Sequence, residues 1–554
     1  MSYVVTQSCC ADASCVVACP VNCIHPTPGE PGFAEAEMLY IDPASCVGCG
    51  ACTTACPVGA ILPTSALSPG QEPFRLLNAE YYDTFELPDR TPLALVPTQR
   101  RLARPGPFRV AIVGAGPAGL YTADELLKHP EIERVDVYDR LLTPYGLVRH
   151  GVAPDHAATK KVTRLFEAIE RDPRFGYVLG IEIGRDLTVA ELRERYHAVV
   201  FAVGATTDRR LDIPGEQLPG SLSATDVVRW YNGHPDLAGL EVPLDSERAV
   251  VIGNGNVALD VARILTLPPA ALTATDMAPA PLEALRRSQV REVVVIGRRG
   301  PAEAAFTMPE LIGLAGLDDI DVRVDLAPES ITGNDQRSRL VRELATRAPR
   351  PDRRRIVLRF AASPVEVLGG DRVSGVRLVE NRLVTDADGV LRAEPTTTTS
   401  DLDAGLVIRS IGHRGLRVAG LPWDEKSGTV PHRRGRVEAG AYVVGWIKRG
   451  PTGSIGTNKS CAQETVASIL DDLDRGVPAL VEGDAADLVR SRQREVVGLA
   501  EWRRLDREEL ARGMAVDRPR LKITDVAEQR RVAAAPTTRL QRARTPRPAT
   551  LIAT

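Results

Sequence analysis

Nine of the ten cysteines of this 554-residue chain fall within its first 56 residues, and their spacing leaves that region few folds to choose from. CVGCGACTTACP supplies Cys46, Cys49, Cys52, Cys56 and Pro57, a complete C-x₂-C-x₂-C-x₃-C-P run. Iron–sulfur clusters need soft thiolate ligands, and this spacing wraps three of them around one face of a cubane. CCADASCVVACP repeats the pattern with Cys9, Cys15, Cys19 and Pro20, but Asp12 stands at its second position. Where two such runs share a module, the fourth cysteine of each serves the other cluster. One [4Fe–4S] cluster is therefore expected on Cys46, Cys49, Cys52 and Cys19. Cys9, Cys15 and Cys56 form the other site. It takes either a [3Fe–4S] cluster or a [4Fe–4S] cluster whose fourth iron is held by the Asp12 carboxylate. Cys10 and Cys23 are surplus, and Cys461 reads as a small core residue. A zinc site or a disulfide cluster is the alternative, and two runs that both close in Cys-Pro argue against it.

A disulfide framework would also call for an oxidising compartment. MSYVVTQS shows no basic stretch followed by an apolar core, so no secretory signal is visible. No charge-free apolar run reaches the roughly 18–20 residues of a membrane span, and a cytoplasmic setting is expected. The chain is 44% apolar and 25% charged, an ordinary globular composition with length for roughly three or four domains. Its formal charge of −3 gives no argument for a nucleic-acid partner, but the charge is unevenly spread. Residues 1–74 hold six acids and no Lys or Arg, while the remainder carries 69 basic against 66 acidic residues. An acidic module docking on a mildly basic body is expected.

Residues 1–62 read as the cysteine module and 63–107 as a Pro-rich linker or wrapping segment. From Phe108 the texture changes. FRVAIVGAGPAGLYTADELL reads as a strand, a glycine turn and an amphipathic helix, and ERVDVYDR supplies the next strand of a βαβ unit. Gly114, Gly116 and Gly119 form G-x-G-x-x-G around Pro117 and Ala118. Such glycines allow a tight turn and close approach of a pyrophosphate to the helix N-terminus. Asp139, ending the next strand, is placed for a ribose hydroxyl. A second unit opens at Gly253, Asn254, Gly255, Asn256, Val257 and Ala258, and its next strand ends in Gly297-Arg298-Arg299-Gly300. Where an NAD site places an acid, two arginines suit a 2′-phosphate, so NADP(H) is expected. The first nucleotide domain is assigned to 108–210 and 405–510, the second to 211–404. Residues 511–554 read as an extension whose Arg-, Ala- and Pro-rich end is a loose tail. No Cys-x-x-Cys lies beside either nucleotide unit, so a dithiol relay is not expected.

GAGPAGLYTADELL, PYGLVRHGVAPDH, GNGNVALDVARIL, IGRRGPAEAAFTMPEL and GWIKRGPTGSIGTNK occur in this order within residues 108–470. Together they resemble adrenodoxin reductase and bacterial ferredoxin–NADP⁺ reductases of that type. With the cysteine module added, the whole chain resembles the ferredoxin/ferredoxin–NADP reductase fusions. The resemblance implies an α+β, two-cluster ferredoxin module of bacterial type fused to an α/β reductase. The reductase would have two Rossmann-like, three-layer ββα dinucleotide-binding domains. It implies FAD on the first, held by the glycine fingerprint, Gly146 and Leu147, with Trp446, Gly453 and Ile455 near the flavin. It implies NADPH on the second, through Asn254, Asn256, Arg298, Arg299 and Glu310. His156 and Glu310 match residues near the flavin and nicotinamide that assist proton or hydride handling. The turn in GPTGSIGTNK enters a helix, so its N–H groups and dipole suit an electron-rich flavin edge. The implied activity passes a hydride from NADPH to FAD, then single electrons to the fused clusters. A ferredoxin or another acceptor such as a cytochrome P450 would receive them, and a monomer is expected. Two other readings compete: a chain resembling the small subunit of glutamate synthase, and a non-catalytic electron carrier or redox sensor.

Overall fold

Runs of consecutive apolar, β-branched residues suit strands covered on both faces, and here they build two parallel sheets. The computed structural model describes residues 2–85, 99–386, 389–476, 480, 483–492 and 495–536. The first sheet orders its strands Arg436–Glu438, Ala441–Val443, Ala198–Phe201, Phe108–Val113, Ile132–Asp139 and Phe175–Leu179. Only its outermost pair, Arg436–Glu438 with Ala441–Val443, is antiparallel. The second runs Ser221–Ser223, Leu406–Arg409, Arg248–Ile252, Glu292–Ile296, Arg354–Arg359 and Ile320–Asp325, parallel throughout. A three-stranded antiparallel sheet, Ala362–Gly369, Val373–Thr385 and Leu391–Asp403, packs Val367 and Val376 against Val250 and Val294 of that second sheet. The chain leaves the first sheet and returns to it through the short antiparallel pair Thr207–Asp208 and His413–Arg414.

The cysteine module pairs Tyr3–Val5 with Ile61–Pro63 and Ile24–His25 with Tyr40–Ile41. Two short helices, Ser14–Ala18 and Ala51–Ala55, follow the two cysteine loops. Within the expected linker or wrapping segment, Glu72–Thr84 is a helix packed on the module. Its Asn78 is buried, with Oδ1 accepting from the Val5 and Ile41 amides and Nδ2 donating to Val5 O. One side chain thus ties three segments, and a helix with that role belongs to the module's core. Residues 86–98 of the expected linker lie outside the described residues.

The C-terminal extension is also more ordered than its composition suggests. The helix Leu499–Met514 runs across the expected boundary at residue 510, and within the extension Val526–Ala534 is a helix and Arg518 and Lys522 are buried. The expected loose tail falls largely on residues 537–554, outside the described residues. Among the described residues no helix is long and apolar enough to cross a membrane.

Candidate functional site

The two glycine turns are built alike. Gly114 and Gly253 hold φ of +114° and +108°. A Cβ there would lie 2.4 Å from Ala202 O and 2.1 Å from Ser410 O, carbonyls just beyond the adjoining strands. Only glycine turns the chain so sharply from strand into helix. Pro117–Leu127 and Asn256–Thr266 then begin without a side-chain cap, leaving first-turn amides and the helix dipole for a diphosphate. Gly119 lets the first helix lie on its strand, since a Cβ would sit 2.0 Å from Gly114 O. Asp139 closes the same turn from below: its Oδ2 accepts from the Ala115 amide and its Oδ1 from Leu141, both at 2.9 Å. Burial raises its carboxyl above the ordinary range, while the backbone donors hold it down.

Gly146 meets the turn directly, a Cβ there lying 2.9 Å from Gly116 Cα, with Leu147 exposed beside it. A Cβ at Gly445 would lie 2.6 Å from Ala118 Cβ, so the segment starting with Trp446 reaches the fingerprint helix. The Trp446 indole stacks on His413 at 5.6 Å and donates to Thr452 O at 3.1 Å. Gly453 and Ile455 then lead into the helix Thr457–Arg475, which packs on Pro117–Leu127. One amide of this turn is not free for a ligand as the sequence suggests, because Gly456 N–H donates to Cys10 O at 2.7 Å.

At the second turn Asn254 packs against Gly297, where a Cβ would lie 2.3 Å from its Nδ2. That contact brings Gly253–Ala258 beside Arg298 and Arg299, neither of which has an ion-pair partner among the described residues. Asn256 Oδ1 accepts from the Thr307 amide at 2.8 Å, fixing the start of the helix Met308–Ala315 that carries Glu310. Glu310 Oε2 lies 4.0 Å from His156 Nε2 and 3.9 Å from Arg263 Nη1. Burial raises the Glu310 carboxyl and the Asp260 charge adds to this, while His156 and Arg263 oppose it. The buried Arg263 is held by Asp155 at 2.6 Å and Asp260 at 2.7 Å. His156 and Glu310, far apart in sequence, therefore face each other across the two domains. Sequence reasoning missed Asp155, Asp260 and Arg263. The i,i+3 pair Asp260–Arg263 and the Asp beside His156 were the available signals.

In the module, Cys19, Cys46, Cys49 and Cys52 line one cavity with Tyr3, Cys23 and Ile41. Burial pushes the Cys52 thiol up to about 11, and Cys46, Cys19 and Cys49 push the same way. Such thiols ionise against a metal and not alone. Burial also raises Cys15, with Cys9, Asp12 and Cys56 adding to it, so these four form the second group. The two loops share a backbone: Ala11 and Ala13 have φ of +52° and +60°, where Gly48 and Gly50 have +70° and +77°. Asp12 therefore occupies the place that Cys49 holds in the other loop, and its Oδ2 accepts from the Ser14 hydroxyl. Cys49 is exposed, whereas Asp12 is buried beneath the body. Cys23 lies 3.5 Å from Cys19, sulfur to sulfur, and Cys461 Sγ accepts from the Gly445 amide at 3.3 Å. Four thiols about one cavity, and three thiols with a carboxylate about the other site, are donor sets that fit iron–sulfur ligation.

Residues 39–62 match the model of the 4Fe-4S binding domain family, and residues 108–300 that of the pyridine nucleotide-disulphide oxidoreductases. A probable ferredoxin/ferredoxin–NADP reductase of Mycobacterium leprae is 48% identical, over 98% of this chain and 100% of its own. A protein of the same description from Mycobacterium tuberculosis is 50% identical, over 95% of this chain and 94% of its own. The solved structure of Mycobacterium tuberculosis FprA in complex with NADPH is 44% identical and covers 77% of this chain and all of its own, with a TM-score of 0.75. By descent as well as by geometry, this chain belongs to the ferredoxin/ferredoxin–NADP reductase family.

Proposed function

We propose that this chain is an NADPH-dependent oxidoreductase, a ferredoxin–NADP⁺ reductase with its own iron–sulfur module. The observation that carries this is one juxtaposition. Asn256 of the second glycine turn fixes the helix that sets Glu310 4.0 Å from His156, and the cysteine module sits on the 453–456 turn through Gly456 N–H and the Ser454 hydroxyl, both donating to Cys10 O. FAD held there would supply hydride acceptance from NADPH, and clusters on the cysteines would supply single-electron transfer toward a ferredoxin or an acceptor such as a cytochrome P450.

The chain's own residues place these groups. A first Rossmann-like domain holds FAD with Gly114–Gly119, Asp139, Gly146, Leu147, Trp446, Gly453 and Ile455. A second holds NADP(H), its free Arg298 and Arg299 suited to a 2′-phosphate. His156 and Glu310, 4.0 Å apart, would hold or pass a proton at this site. Cys19, Cys46, Cys49 and Cys52 take a [4Fe–4S] cluster. Cys9, Cys15 and Cys56 take a [3Fe–4S] cluster or, with Asp12, a second [4Fe–4S].

Anaerobic purification with iron and flavin quantitation, followed by EPR before and after NADPH, tests the reading. Bound FAD, NADPH-dependent bleaching and a reduced-state cluster signal are expected. An additional signal in the oxidised state identifies the three-iron form at the Asp12 site. A protein that takes up no flavin, or leaves NADPH unoxidised, overturns the reading.

A further inference from the structure

The helix Met308–Ala315 has no side-chain cap from Thr307, so its first amides need partners from elsewhere. Asn256 takes the Thr307 amide. The next, that of Met308, donates to Glu37 Oε2 at 2.8 Å, and Glu37 belongs to the cysteine module. The other oxygen of Glu37 pairs with Arg337 at 3.2 Å. Within the same turn the module reaches in again, Gln7 Nε2 donating to Glu310 Oε2 at 2.9 Å. Gly313 makes the room, since a Cβ there would lie 2.4 Å from the Gln7 amide group. Two module side chains thus grip one helix of the second nucleotide domain, and one of them touches Glu310 itself.

We propose that the docked cysteine module completes the Glu310 site, with Gln7 as a positioning residue that holds the Glu310 carboxylate against His156 and Glu37 securing the turn that bears it. The inference rests on the functional reading above and deepens it. The module is a structural part of the nucleotide site, so the site is complete only while the module is docked.

The physics gives a sign. An amide donor favours the ionised carboxylate, as do His156 and Arg263, while burial and Asp260 favour the neutral acid. Removing the donor shifts that balance, and Glu310 then ionises at higher pH. The test uses the full-length, cofactor-loaded protein with ferricyanide as acceptor, measuring kcat/KM for NADPH across pH. The inflection due to Glu310 is the one abolished by Glu310→Gln. It should move upward in Gln7→Leu, and further in Gln7→Glu, which is isosteric but adds a like charge. Near neutral pH kcat/KM should fall roughly tenfold in Gln7→Leu, the size of one hydrogen bond to a charged group. Combining Gln7→Leu with Glu310→Gln should cost no more than Glu310→Gln alone. Hydrogen exchange of the 308–315 amides should quicken in Glu37→Ala while the strand 248–252 is unchanged. Unshifted profiles in both Gln7 variants, or losses that multiply in the double variant, overturn the proposal. A wild-type protein that does not oxidise NADPH overturns the functional reading instead.

Discussion

Arg298 and Arg299 follow a parallel strand directly, and their guanidinium groups have no carboxylate to neutralise them among the described residues. Unpaired arginines beside a glycine turn are held ready for an external anion, and a planar guanidinium suits a phosphate in particular. Replacing both with alanine should lower kcat/KM for NADPH by about 10- to 100-fold, from one or two lost charged hydrogen bonds. NADH, which lacks the 2′-phosphate, should be used as before, so the ratio of the two substrates reads the effect. A ratio that stays constant would place the phosphate elsewhere. The placing of this pair, the glycine turns and the gathering of the cysteines were legible in the sequence because each answers a local demand of backbone geometry or donor spacing. Ala11 and Ala13 were not, because alanine in left-handed backbone costs roughly 1–2 kcal/mol and no spacing rule anticipates it. Arg263 was not either, because Asp155, from a distant segment, joins the local Asp260–Arg263 pair only in the tertiary fold.

The elements read correctly from pattern are those with strong periodicity, the strand–turn–helix units above all. The sequence assigns residues up to 510 to the first nucleotide domain and 511–554 to an extension, a boundary that falls inside the helix Leu499–Met514. The arginines of that helix pair largely nearby, Arg504 with Glu501 and Arg512 with Glu508 and Glu528, while its buried acid finds a partner far away in sequence. Arg149, in the helix Gly146–His150, meets Glu509 of Leu499–Met514 at 2.6 Å with both side chains buried. Lys522 and Lys160 share Asp276 at 3.1 and 2.7 Å. Two histidines are enclosed nearby, His150 and His234, with ring centroids 4.9 Å apart. Burial, with Arg149 beside it, holds His150 well below its usual value, and burial brings His234 down to about 4. Both are neutral in the folded chain at neutral pH, whereas the unfolded chain binds protons at each below about pH 6.5. Stability is therefore full above pH 6.5 and declines as pH falls toward 4. Each histidine contributes a slope of up to about 1.4 kcal/mol per pH unit. Thermal melting of the wild type should show this acid limb, and His150→Phe with His234→Phe should flatten it. An acid limb of unchanged slope in the double variant would exclude the pair as its source.

At the scale of the whole molecule, charge asymmetry suggests that the acidic module docks on the body by electrostatics, and the contacts assign that role differently. Among the described residues only Glu37–Arg337 and Glu80–Arg339 pair across the interface, and exposed or half-exposed pairs of this kind contribute little. The remaining hydrogen bonds mostly pair a charged or carbonyl acceptor with an amide or hydroxyl donor: Gly456 N–H and the Ser454 hydroxyl on Cys10 O, the Gln7 amide on Glu310 and the Met308 amide on Glu37. No motif in the sequence encodes this, because Gly456 looks like any glycine of a turn. Its structural reason is the approach of the module: a Cβ there would lie 2.2 Å from Asp12 N and 2.4 Å from Ala11 C, and its three nearest atoms all belong to the module. Two outcomes follow for a chain carrying a protease site within residues 86–98 and cleaved there. At roughly 1 M salt the Debye length is about 3 Å and exposed ion pairs are screened, yet the two pieces should still co-elute on size exclusion, as at low salt. Gly456→Val should release the module at either salt concentration, while the melting of the body stays close to wild type because the added methyls clash only with the module. Release of the wild-type module by salt alone would return the docking to electrostatics, and a Gly456→Val chain that stays together would show that the close approach at Asp12 is not what seats the module.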